Sequence, residues 1–154
     1  MTSVTFGEAA AHELEAIVEL LHDDPLGAAR ESTAGADQER YRAAFEAIHE
    51  DANNVLIVGR QESTVVAVAQ LTFLPSLTYG GTWRAQIEGV RVAAGARRHG
   101  IGRQLIEHLI ELARARRCGL VQLTTDKRRP EALAFYERLG FTASHEGMKL
   151  RLEG

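Results

Sequence analysis

Two glycines separated by one residue, Gly100 and Gly102, mark the part of the sequence best suited to binding an anion. They stand between an apolar run at 87–92 and an amphipathic repeat at 101–116, with three arginines nearby: Arg97, Arg98 and Arg103. The first turn of a helix carries unpaired backbone N–H groups and the positive end of the helix dipole, so it binds phosphate without a side chain. Glycines let phosphate oxygens approach the backbone, and several guanidinium groups suit a diphosphate. The spacing therefore predicts a diphosphate-binding turn between a strand and a helix.

Two common phosphate motifs do not fit this turn. A dinucleotide fingerprint needs a third glycine where this chain has Leu105, and a P-loop needs Gly-Lys-Ser/Thr, which the sequence lacks. The pattern that fits is (Gln/Arg)-x-x-Gly-x-(Gly/Ala), satisfied by Arg97, Gly100 and Gly102. A glycine-containing loop before an ordinary surface helix gives the same short pattern, so a second block is needed to decide.

That second block is 129–141, read as a helix that ends at a glycine and leads into a strand. Together with the glycine turn it resembles the GNAT superfamily of N-acetyltransferases, whose recurring positions are matched by Ala132, Phe135, Tyr136, Gly140 and Phe141. The resemblance is strongest from residue 86 to residue 141. It implies an α/β (α+β) fold with a mixed, mostly antiparallel, splayed sheet flanked by helices, and a single domain over residues 1–154.

The resemblance also implies acetyl-CoA as cosubstrate. The diphosphate is expected on the turn formed by Arg97, Arg98, His99, Gly100, Ile101, Gly102 and Arg103. The pantetheine arm is expected to bond to the backbone of Val90 and Val92. Many family members carry Asn seven residues before the tyrosine, where this chain has Arg129, and Arg129 is expected to meet a CoA phosphate or the acceptor instead.

The strand before the turn changes its alternation. Ala85 and Ile87 are apolar on one parity, whereas Val90 and Val92 are apolar on the other. One extra residue in the strand shifts parity in this way, so the pattern predicts a β-bulge near Gly89. A solvent-facing Arg91 would give a similar string.

Acyl transfer to an amine needs a base, an oxyanion donor and an acid. An alkyl ammonium has a pKa of about 10 and no lone pair to attack with, and Glu88, just before the bulge, is the candidate base, directly or through water. A water chain without a dedicated base is the alternative. A backbone N–H near Val90 is the candidate oxyanion donor. The resemblance assigns Tyr136 as the general acid toward the CoA thiolate, with packing as its alternative role. An acyl-cysteine route is disfavoured because Cys118 follows the far end of the helix.

Composition limits the function classes. Residues 1–62 hold 13 acidic residues against four arginines, a balance of −9, whereas 91–129 hold ten bases against three acids, a balance of +7. This division of charge fits a polyanionic cosubstrate and a cationic amine.

Several other classes of function are not expected. The sequence predicts no signal peptide and no membrane span, and a single cysteine, which cannot form an intrachain disulfide, agrees with the reducing conditions of the cytoplasm. No metal site is expected, since the His–acid neighbours lack ligand spacing. Nucleic-acid binding is disfavoured because the net charge is −3 and no recognition motif accompanies the 127–129 cluster.

The acceptor is predicted to be a primary amine of a small molecule. The basic cluster before Phe135 is similar to that of aminoalkylphosphonate acetyltransferases, which makes an amine with an anionic group an alternative acceptor. A protein amino terminus is another alternative acceptor. A non-catalytic acyl-CoA-binding regulatory module is the alternative from a different class. Dimers are common in this superfamily, so a homodimer is among the expected assemblies.

The remaining elements are predicted from periodicity and turn residues. We expect a first strand at 4–6, helices at 10–21 and 38–50, the second capped by Asp37, and strands at 55–58, 64–73 and 120–124. One or two closing strands are predicted within 141–152. The segment 23–35 is predicted to be a loop. The resemblance implies that the acceptor site is built in this region, which makes four residues substrate-side candidates: Asp23, Asp24, Arg30 and Glu31. Tyr79 and Trp83 are further candidates for an acceptor pocket, with core packing as their alternative role.

Overall fold

The computed structural model describes residues 3–23, 25–31 and 37–153. Two compact units are distinguished, Met1–Gln122 and Leu123–Gly154, and each is described by itself. The strands all belong to the first unit: β1 (Thr5–Glu8), β2 (Asn54–Gln61), β3 (Thr64–Leu74), β4 (Arg84–Val92) and β5 (Leu120–Gln122). The helices are α1 (Leu14–His22), α2 (Pro25–Arg30), α3 (Gln38–Glu50), a short α4 (Thr78–Gly81), α5 (Ile101–Ala115) and, in the second unit, α6 (Pro130–Arg138).

The strands form one sheet in the order β1-β2-β3-β4-β5. The first four strands pair antiparallel with their neighbours, and β5 pairs parallel with β4. The β2–β3 connection is a two-residue turn in which Glu62 and Ser63 have φ of 48° and 72°, which suits the twist of a tight hairpin. The mixed, mostly antiparallel sheet flanked by helices is the predicted fold class.

The core of this unit lies where helices pack on the sheet. Ile17 and Leu20 of α1 and Phe45 of α3 join Val58 and Val68 of the central strands in one buried cluster. Helix α5 packs against β3, β4 and β5 and buries five side chains: Ile101, Leu105, Ile106, Leu109 and Ala113. Each of the four larger side chains, Ile101, Leu105, Ile106 and Leu109, contributes roughly 1.5–3 kcal/mol when fully buried, so α5 is held firmly against the sheet.

Three predictions about local structure were wrong. The segment 23–35 was expected to be a loop, but it contains α2, because proline is compatible with the first position of a helix. Asp24 and residues 32–36 lie outside the described residues. Helix α3 begins at Gln38 as predicted, yet Asp37 makes no side-chain cap bond. The closing strands predicted within 141–152 are absent from the described residues, since no strand is assigned after Gln122 up to residue 153.

No described helix has the length and apolar character needed to cross a membrane.

Candidate active site

The predicted diphosphate turn joins β4 to α5. A 3₁₀ turn at Ala94–Ala96 leads to Arg98, with φ of 68°, and Gly100, with φ of 77°, is the residue that caps α5. Gly100 offers no side chain to the first N–H groups of the helix, and no side-chain cap bond is present. A Cβ built on Gly100 would meet no atom within 4 Å. An uncapped helix start with open space above it fits a bound diphosphate.

The three arginines around this turn have different partners. Arg97 donates from Nε to the carbonyl oxygen of Val92 at 3.1 Å, and Arg103 donates from Nε to Glu107 at 2.8 Å. Arg98 is exposed and makes no hydrogen bond or ion pair with any residue that the structure describes. Arg103 is therefore paired with an acid, whereas Arg97 is bonded to a neutral carbonyl that leaves its charge uncompensated and Arg98 is bonded to no described residue. His99, next to it, is also exposed.

The bulge predicted near Gly89 is confirmed. On β3, Val68 and Gln70 pair with Arg91 and Glu88 of β4, so one residue of β3 faces two residues of β4, Gly89 and Val90. Gly89 has φ of 62°, a left-handed conformation that glycine adopts without cost. A Cβ at this position would lie 3.9 Å from Cδ2 of Leu21. The bulge thus breaks the β3–β4 ladder next to the carboxyl end of α1.

The pairing between β4 and β5 is short. Their pairing covers Arg84–Gln86 of β4 only and stops at Gln122 of β5. Beyond that point, the carbonyl oxygen of Val90 accepts from Nη1 of Arg91 at 2.8 Å, and that of Val92 accepts from Arg97. A carbonyl oxygen has two lone pairs, so each can accept an amide N–H of a cosubstrate in addition to its arginine.

Glu88 lies at the end of a hydrogen-bonded series of side chains that the sequence did not reveal. Gln122 of β5 donates from Nε2 to Oε1 of Gln86 at 2.9 Å, and Gln86 donates from Nε2 to the Glu88 carboxylate. Gln86 and Glu88 share one face of β4, because side chains two residues apart in a strand point the same way. The alternation of polar residues before the bulge was the sequence signal that places Gln86 on the same face of the strand as Glu88. The sequence held no such signal for Gln122, since only the parallel pairing of β5 with β4 brings it next to Gln86.

The second unit contains Tyr136. Its side chain is 9% exposed, and its ring meets Phe135 and Phe141 edge-on, with centroid distances of 5.0 and 5.6 Å. The helix ends in a paired cap: Phe141 N donates to Tyr136 O at 3.1 Å and Gly140 N donates to Glu137 O at 3.0 Å. Gly140 has φ of 98°, as this cap requires. The tyrosine is thus fixed by two aromatic neighbours and by the end of its own helix.

The basic segment before α6 is partly neutralised. Arg128 makes two hydrogen bonds to Asp126, at 3.0 and 2.7 Å, and Lys127 lies 3.7 Å from Glu146. The Asp126 carboxylate raises the pKa of Arg128. Arg129 caps the helix with its backbone, since its carbonyl oxygen accepts from Ala132 N. Much of the positive charge that suggested an anionic acceptor is therefore balanced within this unit.

An acidic cavity of about 620 Å³ lies along α1. Its lining includes the carboxylates of Glu13, Glu19 and Asp23 and the imidazoles of His12 and His22, together with Leu20 and the start of β3. Glu13 is already paired within the chain, because both of its carboxylate oxygens accept hydrogen bonds from Arg60 at 2.7 Å. The side-chain hydrogen bonds from Arg60 lower the pKa of Glu13 to about 2. Among the residues that line the cavity, Glu19 and Asp23 have carboxylates without a partner in the described part of the chain.

Four further residues have surroundings that bear on their expected roles. Burial raises the pKa of the Cys118 thiol, so it is less ready to form a nucleophilic thiolate. Tyr79 is 65% exposed and stacks under Arg84, and Trp83 is 39% exposed, so neither is a core residue. His108 is half-buried, and its ring stacks on that of Phe6 at a centroid distance of 5.5 Å.

The glycine turn, the bulge and Glu88 are thus brought together on consecutive elements of one unit, while Tyr136 and Arg129 belong to the other. No group of three or more His, Cys, Asp or Glu suited to a metal ion occurs among the described residues.

Comparisons with known proteins relate this arrangement to a family. Glucosamine 6-phosphate N-acetyltransferase of Trypanosoma brucei brucei is 38% identical over 88 residues, covering 57% of this chain and 58% of that protein. The 5-NmdU N-acetyltransferase of Pseudomonas phage PaMx11 is 42% identical over 59 residues, 38% of this chain and 40% of that protein. The aligned regions thus span about half the length of these curated relatives.

A solved structure matches over almost the whole chain. The transcriptional regulator from Bacillus halodurans C-125 superposes with a TM-score of 0.94 and 51% identity, covering 97% of this chain and 100% of that one. The profile of the acetyltransferase (GNAT) family matches residues 14–141, which include the bulge, the glycine turn and the Tyr136 helix. The chain therefore belongs to the acetyltransferase (GNAT) family.

Proposed function

We propose that this chain transfers the acetyl group of acetyl-CoA to a primary amine of a small molecule. The observation that carries the proposal is the bulge at Gly89 followed, along the same chain segment, by the uncapped start of α5 at Gly100. The bulge interrupts a ladder and frees backbone groups, and the helix start offers N–H groups to a diphosphate. Together they provide the two kinds of backbone contact that an acyl-CoA needs.

The residues that would hold the cosubstrate lie in order along the chain. The backbone of Val90 and Val92 would meet the pantetheine arm, and residues 97–103 would hold the diphosphate. Arg129, in the second unit, is proposed to contact a CoA phosphate or the acceptor. Arg98 and Arg97 would be the leading charged contacts, because no described acid offsets the charge of either.

Acetyl-CoA supplies a thioester whose carbon–sulfur bond breaks as the amine nitrogen bonds to the acetyl carbon. Glu88 would accept the proton that the ammonium must lose before it can attack, directly or through water. A backbone N–H at the bulge would donate to the oxygen that gains charge. Tyr136 would give its phenolic proton to the departing sulfur. The nitrogen loses its second proton as the amide forms, and that proton returns to the Tyr136 phenolate, while Glu88 releases the first proton to solvent.

The acidic cavity along α1 supports a cationic acceptor. Glu19 and Asp23 give its wall negative charge, which raises the local concentration of an ammonium. Leu21 lies between two lining residues of α1, Leu20 and His22, and its Cδ2 would be 3.9 Å from a Cβ at Gly89 in the bulge. The Trypanosoma relative, named for acetylation of glucosamine 6-phosphate, makes an amino sugar a natural first acceptor to test.

The test is a panel of primary amines with acetyl-CoA, followed by release of free thiol. The panel contains an amino sugar, an amino sugar phosphate, an aminoalkylphosphonate, a polyamine and a peptide with a free amino terminus. Turnover above the rate without acceptor supports the proposal, and product mass identifies the modified amine. Absence of turnover across the panel, with tight CoA binding in the same preparation, would argue for the second candidate.

The second candidate is a non-catalytic acyl-CoA-binding regulatory module. It is favoured by the 51% identity to a protein described as a transcriptional regulator. Tyr136→Phe separates the two candidates, because the substitution keeps the ring between Phe135 and Phe141 and removes only the hydroxyl. An enzyme would lose most of its turnover and keep its affinity for CoA, whereas a module without turnover would show no change in either measurement.

A cytoplasmic location, where acetyl-CoA is available to such an enzyme, is part of the same proposal.

A further inference from the structure

Gln70 of β3 lies directly opposite Glu88 of β4, as its Cα partner in the antiparallel register. Opposite residues of such a pair carry their side chains on the same face, with Cβ atoms about 4.5–5.5 Å apart. Val68, two residues before Gln70 and therefore on this face, belongs to the buried cluster that includes Ile17 and Leu20 of α1. On the face that α1 covers in part, the candidate base thus has an amide side chain as its cross-strand neighbour.

The orientation of the Gln70 amide is fixed from the β2 side of the sheet. Gln70 donates from Nε2 to Oδ1 of Asn54 at 3.0 Å, and Asn54 donates from Nδ2 to Oδ2 of Asp51 at 2.9 Å. The backbone N–H of Asn53 and the side chain of Asn54 lower the pKa of Asp51, so this carboxylate is ionised at neutral pH. An ionised carboxylate only accepts hydrogen bonds. Asn54 must therefore turn its N–H₂ group toward Asp51 and its oxygen toward Gln70, and Gln70 must present its own N–H₂ group to that oxygen.

This polarity directs the amide oxygen of Gln70 away from Asn54. Gln70 makes no other hydrogen bond with a described residue. Glu88 accepts from Gln86 through Oε1, and its Oε2 has no partner within the described part of the chain. Two neighbouring side chains on one face of the sheet therefore each have an accepting oxygen available, and one of the two carries a negative charge.

We propose that Gln70 binds the acceptor, and that its amide oxygen receives one N–H of the substrate amine while Glu88 receives another. This inference rests on the proposed acetyl transfer and adds a residue to its acceptor site. An alkyl ammonium has three N–H donors, so it can satisfy both oxygens. Asn54 does not touch the amine in this arrangement and is a positioning residue that acts through Gln70.

The pair of oxygens has two chemical consequences. After Glu88 has taken one proton, the N–H that remains on Gln70 limits rotation of the amine, which helps to aim its lone pair at the acetyl carbon. A hydroxyl group has only one O–H, so it would leave one of the two oxygens without a donor. The pair therefore favours an amine over a hydroxyl group of the same molecule.

The first test replaces Gln70 in two ways. Gln70→Met removes the accepting oxygen, and it should raise the KM for the panel amine with the highest kcat/KM about tenfold, the scale of one hydrogen bond to a charged group. The KM for acetyl-CoA should not change. Gln70→Glu keeps an accepting oxygen but cannot donate to Asn54, so it should restore most of the affinity for the amine. A residue that only braced Asn54 would fail equally in both variants. Gln104→Met, on the exposed side of α5, is the matched control.

The second test concerns the bond that orients Gln70. Asn54→Leu leaves the Gln70 amide free to rotate, so the KM for the same amine should rise severalfold, and it should rise no further in a Gln70→Met background. Circular dichroism and thermal unfolding should confirm that each variant folds. A native KM in Gln70→Met, or equal rises in Gln70→Met and Gln70→Glu, would overturn the role of Gln70 and leave the proposed acetyl transfer in place. Absence of turnover by the native chain across the whole panel would overturn both.

Discussion

The side-chain amide of Gln86 donates to the carboxylate of Glu88, two residues further along β4, and accepts in turn from Gln122 of β5 at 2.9 Å. The carboxylate is exposed, so this bond is what restricts its orientation. If Glu88 accepts the amine proton, Gln86 and Gln122 are positioning residues for it.

The first prediction concerns Glu88 itself. Glu88→Gln keeps the size of the side chain and removes the group that can accept a proton. We expect kcat to fall about 10²-fold, the lower range for loss of a general base, while the dissociation constant for CoA stays unchanged. Steady-state kinetics with the best acceptor and calorimetric titration with CoA measure the two quantities. A variant with native kcat would leave only the water-chain mechanism.

The second prediction concerns Gln122. Gln122→Met preserves length but removes the N–H that holds Gln86, so kcat should fall severalfold with little change in the KM for acetyl-CoA. In a Glu88→Gln background the same change should have no further effect, because residues that act through one another are not additive. Gln104→Met, on the exposed side of α5, is the control. Equal losses in both backgrounds would mean that Gln122 acts independently of Glu88.

The third prediction separates the arginines of the glycine turn. Arg98→Ala should weaken CoA binding about tenfold, the scale of a lost charge-assisted contact to phosphate. Arg103→Ala should weaken CoA binding by a smaller factor, because Arg103 already bonds to Glu107. Arg114→Ala, at the far end of α5, should leave affinity unchanged. Calorimetric titration of CoA into each variant gives the order of their affinities. A larger loss for Arg103 than for Arg98 would contradict the assignment made from their partners.

Features that depend on local order along the chain were predictable from the sequence. The bulge shows as a change of parity around Gly89, and the helix start shows as glycines after an apolar strand. The Schellman-type end of α6 is visible in Gly140 itself. Each of these features is set by the conformational preferences of a few consecutive residues, so it can be predicted from that stretch of sequence alone.

Features that depend on which elements become neighbours were not predictable. Gln122 meets Gln86 only because β5 lies parallel beside β4. Arg60 meets Glu13 across 47 residues of chain. The closing strands predicted within 141–152 are absent from the described residues, and a pattern in the sequence does not identify the partner that a strand needs. The helix Pro25–Arg30 was missed because proline and glycine interrupt the period that predicts a helix.

The fourth prediction concerns the ion pair between Glu13 and Arg60. Glu13 is 5% exposed and bonds to Arg60 through both oxygens, so Glu13→Gln should lower the free energy of unfolding at pH 7 by on the order of 2–3 kcal/mol. The pKa of Glu13 is lowered from 4.5 to about 2. The contribution of this carboxylate is therefore complete above pH 4.5 and is lost as the pH falls from 4.5 toward 2. Urea unfolding of both proteins across this range should show the two stabilities converging in acid. Glu46→Gln, an exposed change on α3, should match the native chain at every pH, and a constant gap between native and Glu13→Gln proteins would show that the loss comes from packing rather than charge.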